Sequence, residues 1–402
     1  MTIRDADPDL LRDLRVRSAE NGGVFRVEDG RLMVFDADAA QRANADNFAD
    51  LTLPDRLVDI VRRRRSTAVS WKSVRAGWLT RLRELGDEPG LAALYRRMSD
   101  VLEARCDRPV DLVWLAHEVL FRSLRPLIVA GLSPRDAAAL SQDAIVKLER
   151  LLDRKGPRYQ WRSMNAQVRT GLVVRRALRR ARRTPRPDLT APVAAMLPDL
   201  GMDRAVDAVT AVLTAVVGPP GAAMTNLMFE LAARPEWEER LAAEFGRTSV
   251  DELCRTGTMS APTAHRFVRE VLRFWAAPTL LARSVRVPMT VTGVDLAVGE
   301  QYLVSPFMVH HDDRAWADPE VFDPDRWLPG ARHGPPSGHH YVPFGWAPTM
   351  CIGAGLGTMQ LVLFAHLLCT TFRVCLHRPE TVRMSIGAVP TPLDFVGHLT
   401  RR

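Results

Sequence analysis

The stretch FGWAPTMCIGAGLG, residues 344 to 357, places one cysteine between a single glycine and a group of three glycines, directly before an apolar segment. That segment predicts a helix over residues 354–370. A cysteine that ligates iron as a thiolate needs backbone N–H groups near its sulfur, and the N-terminal end of a following helix stabilises the negative charge. Gly345, Gly353 and Gly355 permit the tight backbone approach that such a loop requires. A buried structural cysteine at a loop-to-helix junction is the alternative interpretation. Motifs elsewhere in the chain are needed to distinguish a metal ligand from a structural residue.

The composition is that of an ordinary globular protein. Of the 402 residues, 47% are hydrophobic and 25% are charged, which excludes a disordered or collagen-like chain. No Gly/Ser-rich linker, low-complexity tract or repeat divides the sequence, so we expect one domain over residues 1–402. The five cysteines are odd in number and irregularly spaced, which argues against a disulfide framework and against a zinc site of the CxxC type.

The formal charge of +8 comes almost entirely from arginine. The arginine runs at 62–65 and 175–183 lack interleaved aromatic residues, so solvated helix faces explain them better than nucleic-acid binding does. The N-terminal stretch MTIRDADPDLL has neither the apolar core of a signal peptide nor a membrane anchor, and we expect a cytoplasmic protein. The nearly uncharged run 208–224 contains Pro219 and Pro220, and we interpret it as a buried central helix rather than a membrane span.

Helical patterns dominate the chain. A hairpin is predicted over about residues 20–36, followed by a helical core over about residues 69–275. A strand-rich patch at 283–304 and a Pro- and Asp-rich coil at 311–348 then lead to the cysteine loop and to terminal strands. We therefore expect a mainly α fold with small β-sheets. The predicted helices cover residues 38–46, 69–85, 90–105, 109–131, 134–154, 161–183, 203–233, 236–246, 260–275 and 354–370.

Four further patterns lie upstream of the cysteine loop. Glu270 and Arg273 form a Glu-x-x-Arg pair, and Arg326 lies in the segment FDPDRW. Arg283 follows ten residues after Arg273, and residues 71–75 form a Trp-x-x-x-Arg pattern. In their order and separation, these patterns and the loop together resemble the cytochrome P450 family of heme-thiolate enzymes.

The resemblance implies a cytochrome P450 fold that binds heme b between the central long helix and the helix after the cysteine loop. Cys351 is then the metal ligand, while Glu270, Arg273 and Arg326 form a structural network rather than a catalytic one. Thr349 stands where the family usually has His or Arg facing a propionate. The residues expected to contact the heme are Trp71, Arg75, Arg283, Phe344, Gly345, Thr349, Cys351 and Gly353.

The central helix departs further from the family pattern. The family usually carries an acid and a threonine sixteen residues before a proline, and uses this pair to deliver protons during oxygen activation. Counting back from the proline of AARPEW gives Gly218 and Pro219, whose side chains carry no proton. Two prolines within the predicted helix 203–233 are expected to kink or open it. The alternative is that VVGPPG is a loop between two helices, in which case Thr214 or Thr225 supplies the hydroxyl.

Three functions remain open on this pattern. The first is a monooxygenase of bacterial specialised metabolism that takes electrons from a ferredoxin and a ferredoxin reductase. The second is a peroxide-dependent or redox-independent enzyme, such as a peroxygenase, a dehydratase or an isomerase. The third is a non-catalytic heme-binding or recruitment protein, which the intact cysteine and the Glu-x-x-Arg pair disfavour.

The resemblance also places a pocket for a small organic substrate beside small and apolar residues. The segment after Leu51 is expected to contribute to this pocket. The neighbouring arginines at 62–65 are best explained as a solvated face, and the alternative is that they attract a carboxylate or the phosphate of a carrier protein. The other expected pocket residues are Val216, Ala222, Ala277, Thr279, Leu280 and Val389.

Overall fold

The computed structural model describes residues 2–3, 8–47, 71–154, 156 and 158–402, and only the backbone of residues 2–3, 8–12 and 71–72. The arginine run at 62–65, the segment after Leu51 and the side chain of Trp71 therefore lie outside the described residues. The helices are α1 (Pro8–Glu20), α2 (Ala37–Asp46), α3 (Trp71–Leu85), α4 (Glu88–Glu103), α5 (Leu112–Ile128), α6 (Pro134–Leu151), α7 (Tyr159–Arg183), α8 (Thr190–Ala195), α9 (Leu197–Ala215), α10 (Pro219–Ala233), α11 (Pro235–Phe245), α12 (Val250–Thr256), α13 (Pro262–Phe274), α14 (Pro306–His310) and α15 (Ala354–Thr370).

Most of these helices begin at residues that the sequence marks as helix starts. The side chains of Asp36, Asp87 and Ser133 accept hydrogen bonds from backbone N–H groups in the first turns of α2, α4 and α6. Pro235 and Pro262 begin α11 and α13, where a missing N–H group leaves no hydrogen bond unmade. The predicted mainly α fold with small sheets is confirmed. The short helices α8, α12 and α14, and the polar helix α1, are not predicted by the sequence pattern.

The strands form small sheets, one of which joins distant parts of the chain. The predicted N-terminal hairpin is present, with Phe25 opposite Met33. Met33 also lies opposite Leu303 in a parallel pairing that the sequence does not indicate, and this pairing brings the N-terminal residues to the strand-rich patch. The strands are β1 (Thr2–Ile3), β2 (Val24–Arg26), β3 (Leu32–Val34), β4 (Val110–Asp111), β5 (Leu281–Ser284), β6 (Met289–Val291), β7 (Val294–Leu296), β8 (Gln301–Val304), β9 (Phe372–Leu376), β10 (Arg383–Ile386), β11 (Pro390–Leu393) and β12 (Val396–Arg401).

The predicted single helix over residues 203–233 is wrong. Helix α9 ends at Ala215 and α10 begins at Pro219, with the backbone of Gly218 outside the helical region at φ −91° and ψ −96°. Pro219 and Pro220 take the first two positions of α10, where their missing N–H groups are tolerated. In one continuous helix the same prolines would have removed two interior hydrogen bonds. The alternative of two helices joined by a short connection is therefore the observed one.

The segment Leu197–Ala233 is long and apolar enough to span a membrane by length and composition alone, yet 50% of its most apolar window is buried. Helix α10 is buried throughout from Gly221 to Leu231. Helix α15 is buried from Gln360 to Cys369, and it packs against α4, α10, α11 and α13. Because α15 follows the cysteine loop directly, one end of that loop is fixed by a core helix.

The first turn of α10 packs closely against the middle of α5. A Cβ atom at Gly221 would lie 2.2 Å from Cδ2 and 2.5 Å from Nε2 of His117, so only glycine fits there. Nδ1–H of His117 donates to the Val113 carbonyl (2.9 Å), which fixes the ring. Burial lowers the pKa of His117 to about 4, so the ring is neutral at pH 7. Its Nε2 atom is buried without a hydrogen-bond partner among the described residues.

Gly221→Ala is expected to lower the free energy of unfolding by about 1 to 3 kcal/mol, since the buried ring cannot move away from the new methyl group. Urea unfolding followed by circular dichroism measures this. Gly171→Ala in α7 is the control, because its Cβ would meet only Cγ1 of Val206 at 3.9 Å. There, alanine is expected to be neutral or to stabilise the helix by up to about 1 kcal/mol. In a His117→Ala background the cost of Gly221→Ala should disappear; an equal cost in both backgrounds would contradict this packing.

Candidate functional site

The cysteine loop presents an accessible sulfur at the start of α15. The Cys351 N–H donates to the Phe344 carbonyl (2.8 Å), and the Gly345 N–H donates to the Val342 carbonyl (2.9 Å). Gly345 has φ +77°, a conformation that favours glycine. The Gly353 N–H points at Sγ of Cys351 (3.4 Å), and Cys351 itself is exposed. The loop thus combines an exposed thiol with a backbone donor beside the sulfur, as a thiolate ligand requires.

Helix α2 fixes the loop from the opposite end of the chain. The Asn44 side chain is buried and donates from Nδ2 to the carbonyls of Trp346 (3.1 Å) and Ala347 (2.9 Å). The Thr349 hydroxyl donates to Oδ1 of Asn44 (2.7 Å). The predicted heme contact Thr349 therefore has its hydroxyl proton engaged within the protein. The role of Asn44 could not be predicted from the sequence, because a single asparagine in an N-terminal helix carries no pattern that points to residue 347.

A buried charged network lies behind the loop. Arg273 donates from Nε and Nη2 to the two carboxylate oxygens of Glu270 (3.0 and 2.8 Å), and Arg326 donates from Nε to Oε1 (3.1 Å). The Trp327 indole N–H and the Asp323 backbone N–H also donate to this carboxylate (3.0 and 2.9 Å). All three charged side chains are 0–1% exposed. The structure thus brings Glu270, Arg273 and Arg326 together as the sequence predicts.

The same arginines bind the coil that precedes the loop. Their remaining N–H groups donate to backbone carbonyls within 2.9–3.3 Å, and this charge-assisted bonding fixes the coil without regular secondary structure. The carbonyls that accept from Arg273 belong to His310, Pro319 and Val321. Those that accept from Arg326 belong to Ala317, Asp318, Val321 and His333.

His310 connects the network to the loop. Its Nδ1–H donates to the Arg273 carbonyl (3.0 Å), and its Nε2 accepts from the Val342 N–H (2.8 Å), three residues before Gly345. Burial, together with the nearby Arg273 charge, lowers the pKa of His310 to about 3. The ring is therefore neutral, with one donor and one acceptor nitrogen, and both are used. His310 could not be predicted from the sequence, because its partners lie 37 and 32 residues away.

Two arginines predicted to contact heme propionates lie in suitable surroundings. Nη2 of Arg75 donates to the Met350 carbonyl, beside Cys351, and burial lowers the pKa of Arg75 while the nearby cysteine opposes this shift. Burial also lowers the pKa of Arg283, whose side chain has no hydrogen bond or ion pair to any residue that the structure describes. The residue after Arg283 accepts from Asn47, next to α2, so this strand and the cysteine loop share α2 as a neighbour.

The predicted pocket residues lie on three parts of the described chain that meet one another. The Thr279 N–H donates to the Ala388 carbonyl (3.1 Å), and Nδ2 of Asn226 donates to the Pro390 carbonyl (3.1 Å). Helix α10, residues 277–281 and the turn at 387–390 are thereby joined. Ala222, Thr279 and Val389 are buried, whereas Val216, Ala277 and Leu280 are half-buried. Oγ1 of Thr279 is buried with no hydrogen-bond partner among the described residues, a feature that sequence alone does not show.

Thr214 and Thr225, the two threonines that could supply the hydroxyl missing at position 219, both form hydrogen bonds within the protein. The Thr225 hydroxyl, fully buried in α10, donates to the Gly221 carbonyl (2.9 Å). The Thr214 hydroxyl donates to the Thr210 carbonyl (2.8 Å) and accepts from the ammonium group of Lys147 (2.7 Å). Gly218 and Pro219 lie at the break between α9 and α10, and neither side chain can donate a proton.

A family model described as "Cytochrome P450" matches residues 181–392, just over half of the chain. This chain belongs to the cytochrome P450 family. The match contains the Glu270 network, Arg283 and the whole cysteine loop. Members of this family are heme-thiolate oxidoreductases, and the predicted recognition is confirmed.

Curated members of the P450 family match only part of this chain. Cytochrome P450 714C3 of Oryza sativa subsp. japonica is 33% identical over 147 residues, which cover 34% of this chain and 28% of that protein. The steroid 17-alpha-hydroxylase/17,20 lyase of Squalus acanthias is 25% identical over 209 residues, 50% of this chain and 41% of that protein. These matches thus span well under half of the length of each relative.

Solved P450 structures match the fold over nearly the whole chain. A zebra fish cytochrome P450 solved with progesterone has a TM-score of 0.78 at 17% identity, covering 98% of this chain and 99% of that one. The retinoic acid-bound cyanobacterial CYP120A1 has a TM-score of 0.76 at 18% identity, covering 100% and 95%. At these identities the likeness shows the fold, and the predicted P450 fold is confirmed.

Heme b is the cofactor of the P450 family, and the residues of this chain fit it. The sulfur of Cys351 is accessible and has a backbone N–H beside it, which suits a thiolate bound to iron. Arg283 is a partly buried cation without a counterion in the described part of the chain, which suits a carboxylate from a ligand. Cys254 and Cys369 are less suited, since burial raises the thiol pKa to about 11 at Cys254 and about 12 at Cys369.

Proposed function

We propose that this P450 is a heme-thiolate monooxygenase acting on a small organic molecule. One observation carries the proposal: the accessible sulfur of Cys351, with the Gly353 N–H directed at it, lies at the start of a buried helix and beside a fully satisfied charged network. A non-catalytic heme-binding or recruitment protein remains the alternative of another class, and turnover separates the two.

Each residue of the site has a distinct task in this proposal. Bound heme supplies the redox chemistry, and a thiolate ligand favours cleavage of an O–O bond. Cys351 provides that ligand, and the Gly353 N–H stabilises its negative charge. Arg283 and Arg75 neutralise the propionates, and Trp71 donates its indole N–H to one of them. Phe344, Gly345 and Thr349 shape the loop around the ligand. Glu270, Arg273, Arg326 and His310 keep the loop in place and touch no reacting atom.

The break between α9 and α10 supports a proton source other than a side chain of this helix. Gly218 and Pro219 carry no acidic proton, and the hydroxyls of Thr214 and Thr225 already donate to backbone carbonyls. In a helix, the carbonyls of Ala215 and Val216 would accept from the N–H groups four residues later. Those positions are Pro219 and Pro220, which have no N–H, so both carbonyls lack their usual donor. Such carbonyls bind water readily, so we propose that water or a substrate hydroxyl delivers the proton.

The pocket residues support a mainly apolar substrate of modest size. Ala222, Ala277, Leu280, Val216 and Val389 offer no charge, and the unpartnered hydroxyl of buried Thr279 offers one hydrogen bond to a polar substrate group. Two structural neighbours were solved with progesterone and with retinoic acid, molecules with a largely hydrocarbon skeleton and few polar groups. We further propose a ferredoxin and its reductase as electron donors, a cytoplasmic location and a role in bacterial specialised metabolism, with a carrier protein as a further partner.

The altered helix also favours a second candidate function. An enzyme that uses hydrogen peroxide, or that rearranges its substrate as a dehydratase or an isomerase, needs no acid–alcohol pair to activate dioxygen. Turnover of one substrate should therefore be compared with surrogate ferredoxin and reductase, with peroxide alone, and with neither. We expect product only with the electron donors; product with peroxide alone or with neither selects the second function.

Pro219→Thr is expected to increase product formed per electron consumed at least 2-fold in the donor-supported reaction, because it restores a hydroxyl next to the break. The ratio of product to NADPH consumed measures this. Pro220→Thr is the matched control, since it adds the same hydroxyl one position further along α10, and it should leave the ratio unchanged. Equal effects of both variants would show that position 219 has no special relation to the reacting oxygen.

A further inference from the structure

An apolar stripe runs along the outer face of α7. Its members are Trp161, Met164, Val168 and Leu172, which are 69%, 69%, 63% and 51% exposed. Their spacing of three, four and four residues places all of them on one side of a helix. The stripe is about 16 Å long at 1.5 Å per residue. Large apolar side chains aligned in this way on a protein surface mark an interaction site, whereas single exposed ones do not.

The stripe takes no part in the packing of α7 against the described helices. Helix α7 packs against α6, α8 and α9 through its opposite face, where Val173, Val174, Ala177 and Leu178 are buried. Ile145 of α6 is also exposed (42%) and lies one turn before Glu149, which bridges to Arg162 of α7, so Ile145 widens the apolar surface beside the stripe. None of the described residues covers it.

Three arginines that border the stripe form ion pairs with carboxylates of the same chain. Arg162 pairs with Glu149 (2.9 Å), Arg169 with Asp143 (2.6 Å) and Arg176 with Asp136 (2.6 Å). An acidic partner would have to compete with these carboxylates, so the border offers it little attraction. The same face of a second copy of this chain has the same apolar centre and the same paired border, so it can approach the stripe without like-charge repulsion there.

The arginines of α7 that have no ion pair to any described residue lie beyond the stripe, at 179, 180, 182 and 183 in the last turns of the helix. Arg158, the residue before α7, has none either. Two α7 helices packed parallel would bring these charges together. Packed antiparallel about the middle of the stripe, Arg179 of each copy lies at the opposite end, roughly 35 to 40 Å from its equivalent at 1.5 Å per residue. That separation is several Debye lengths at physiological salt.

We propose that the stripe is the interface of a two-fold symmetric dimer of this chain, in which two α7 helices pack antiparallel. The symmetry axis passes between Met164 and Val168, so that Met164 of one copy faces Val168 of the other and Trp161 faces Leu172. A spacing of three and four residues suits the shallow crossing of two packed helices, and a self-complementary patch is what two-fold symmetry requires. The proposal concerns assembly and is independent of the catalytic function.

Sedimentation velocity of the heme-loaded protein over a range of concentrations tests the dimer. We expect a monomer–dimer equilibrium in the micromolar range, and Val168→Asp is expected to weaken it at least 10-fold. Met259→Asp and Val298→Asp are the controls, because these residues are 81% and 60% exposed away from α7 and their replacement should leave the equilibrium unchanged. Since Val168 is itself exposed, circular dichroism should show that its variant unfolds like the parent protein.

Mixing two variants tests the antiparallel arrangement. Val168→Asp and Met164→Lys should each be monomeric alone, and an equimolar mixture should dimerise, because the new carboxylate then faces the new ammonium group across the axis. A protein that sediments as a monomer at every concentration overturns the proposal, including one that instead floats with vesicles containing phosphatidylglycerol. A dimer that is unaffected by Val168→Asp, or a mixture that stays monomeric, overturns it as well.

Discussion

Replacing Glu270 with alanine is expected to lower the free energy of unfolding by about 3 to 5 kcal/mol, because two buried arginines lose their common carboxylate. The carboxylate accepts hydrogen bonds from Nε and Nη2 of Arg273, Nε of Arg326, the Trp327 indole and the Asp323 backbone. A loss of this size is a large part of the stability of a typical protein. Most of the protein is therefore expected in the insoluble fraction, and the soluble remainder should contain little heme.

Glu84→Ala is the matched control for this substitution. Glu84 and Arg81 form an ion pair at the same three-residue spacing on α3, but the Glu84 side chain is 53% exposed. Exposed pairs of this kind contribute about 0 to 1 kcal/mol, so solubility and heme content should stay at the level of the parent protein. Normal heme content in Glu270→Ala would show that the carboxylate does not carry the network.

Replacing Cys351 with alanine is expected to abolish the thiolate-type, red-shifted Soret band of the reduced protein under carbon monoxide. The reason is that the band depends on a sulfur ligand, and Cys351 is the exposed cysteine with a backbone donor at its sulfur. The spectrum of the purified protein and its ratio of heme to polypeptide measure the effect. The ratio should fall severalfold, because the remaining contacts bind the heme without a covalent bond to iron.

Cys375→Ser is the control for the spectral test. Cys375 is half-buried in β9, and its sulfur lies 4.0 Å from the Thr400 hydroxyl, away from the loop. The carbon monoxide spectrum of this variant should match that of the parent. A red-shifted band that persists in Cys351→Ala, or a histidine-type spectrum in the undenatured parent protein, would contradict the assignment of the ligand.

Local sequence signals predicted the parts of the fold that depend on neighbouring residues. Asp36, Asp87 and Ser133 cap helices that begin where the sequence places them, because a capping side chain acts on its own first turn. The Glu270 network was also predictable, since its three-residue spacing is a helical signal and the family resemblance supplied Arg326. These inferences needed no information about the path of the chain.

Contacts between distant residues could not be predicted in the same way. The parallel pairing of Met33 with Leu303, and the hydrogen bonds of Asn44 and His310, depend on how the chain folds back on itself. At residues 216–218 the difficulty was different. The apolar run is helical on both sides of the prolines, so the pattern alone cannot decide whether they interrupt one helix or begin a second.

The hydrogen bond between Asn44 and the Trp346 carbonyl has a consequence for the order in which the protein can form during synthesis. The two residues are 302 positions apart. At 5 to 20 residues per second, roughly 15 to 60 s pass on the ribosome between the synthesis of the donor and that of its acceptor. Throughout that interval α2 has been synthesised, but the loop backbone to which Asn44 donates has not. The cysteine loop therefore cannot reach its final shape until its own residues have been made, long after the synthesis of α2, and the heme pocket is completed later than most of the helices around it.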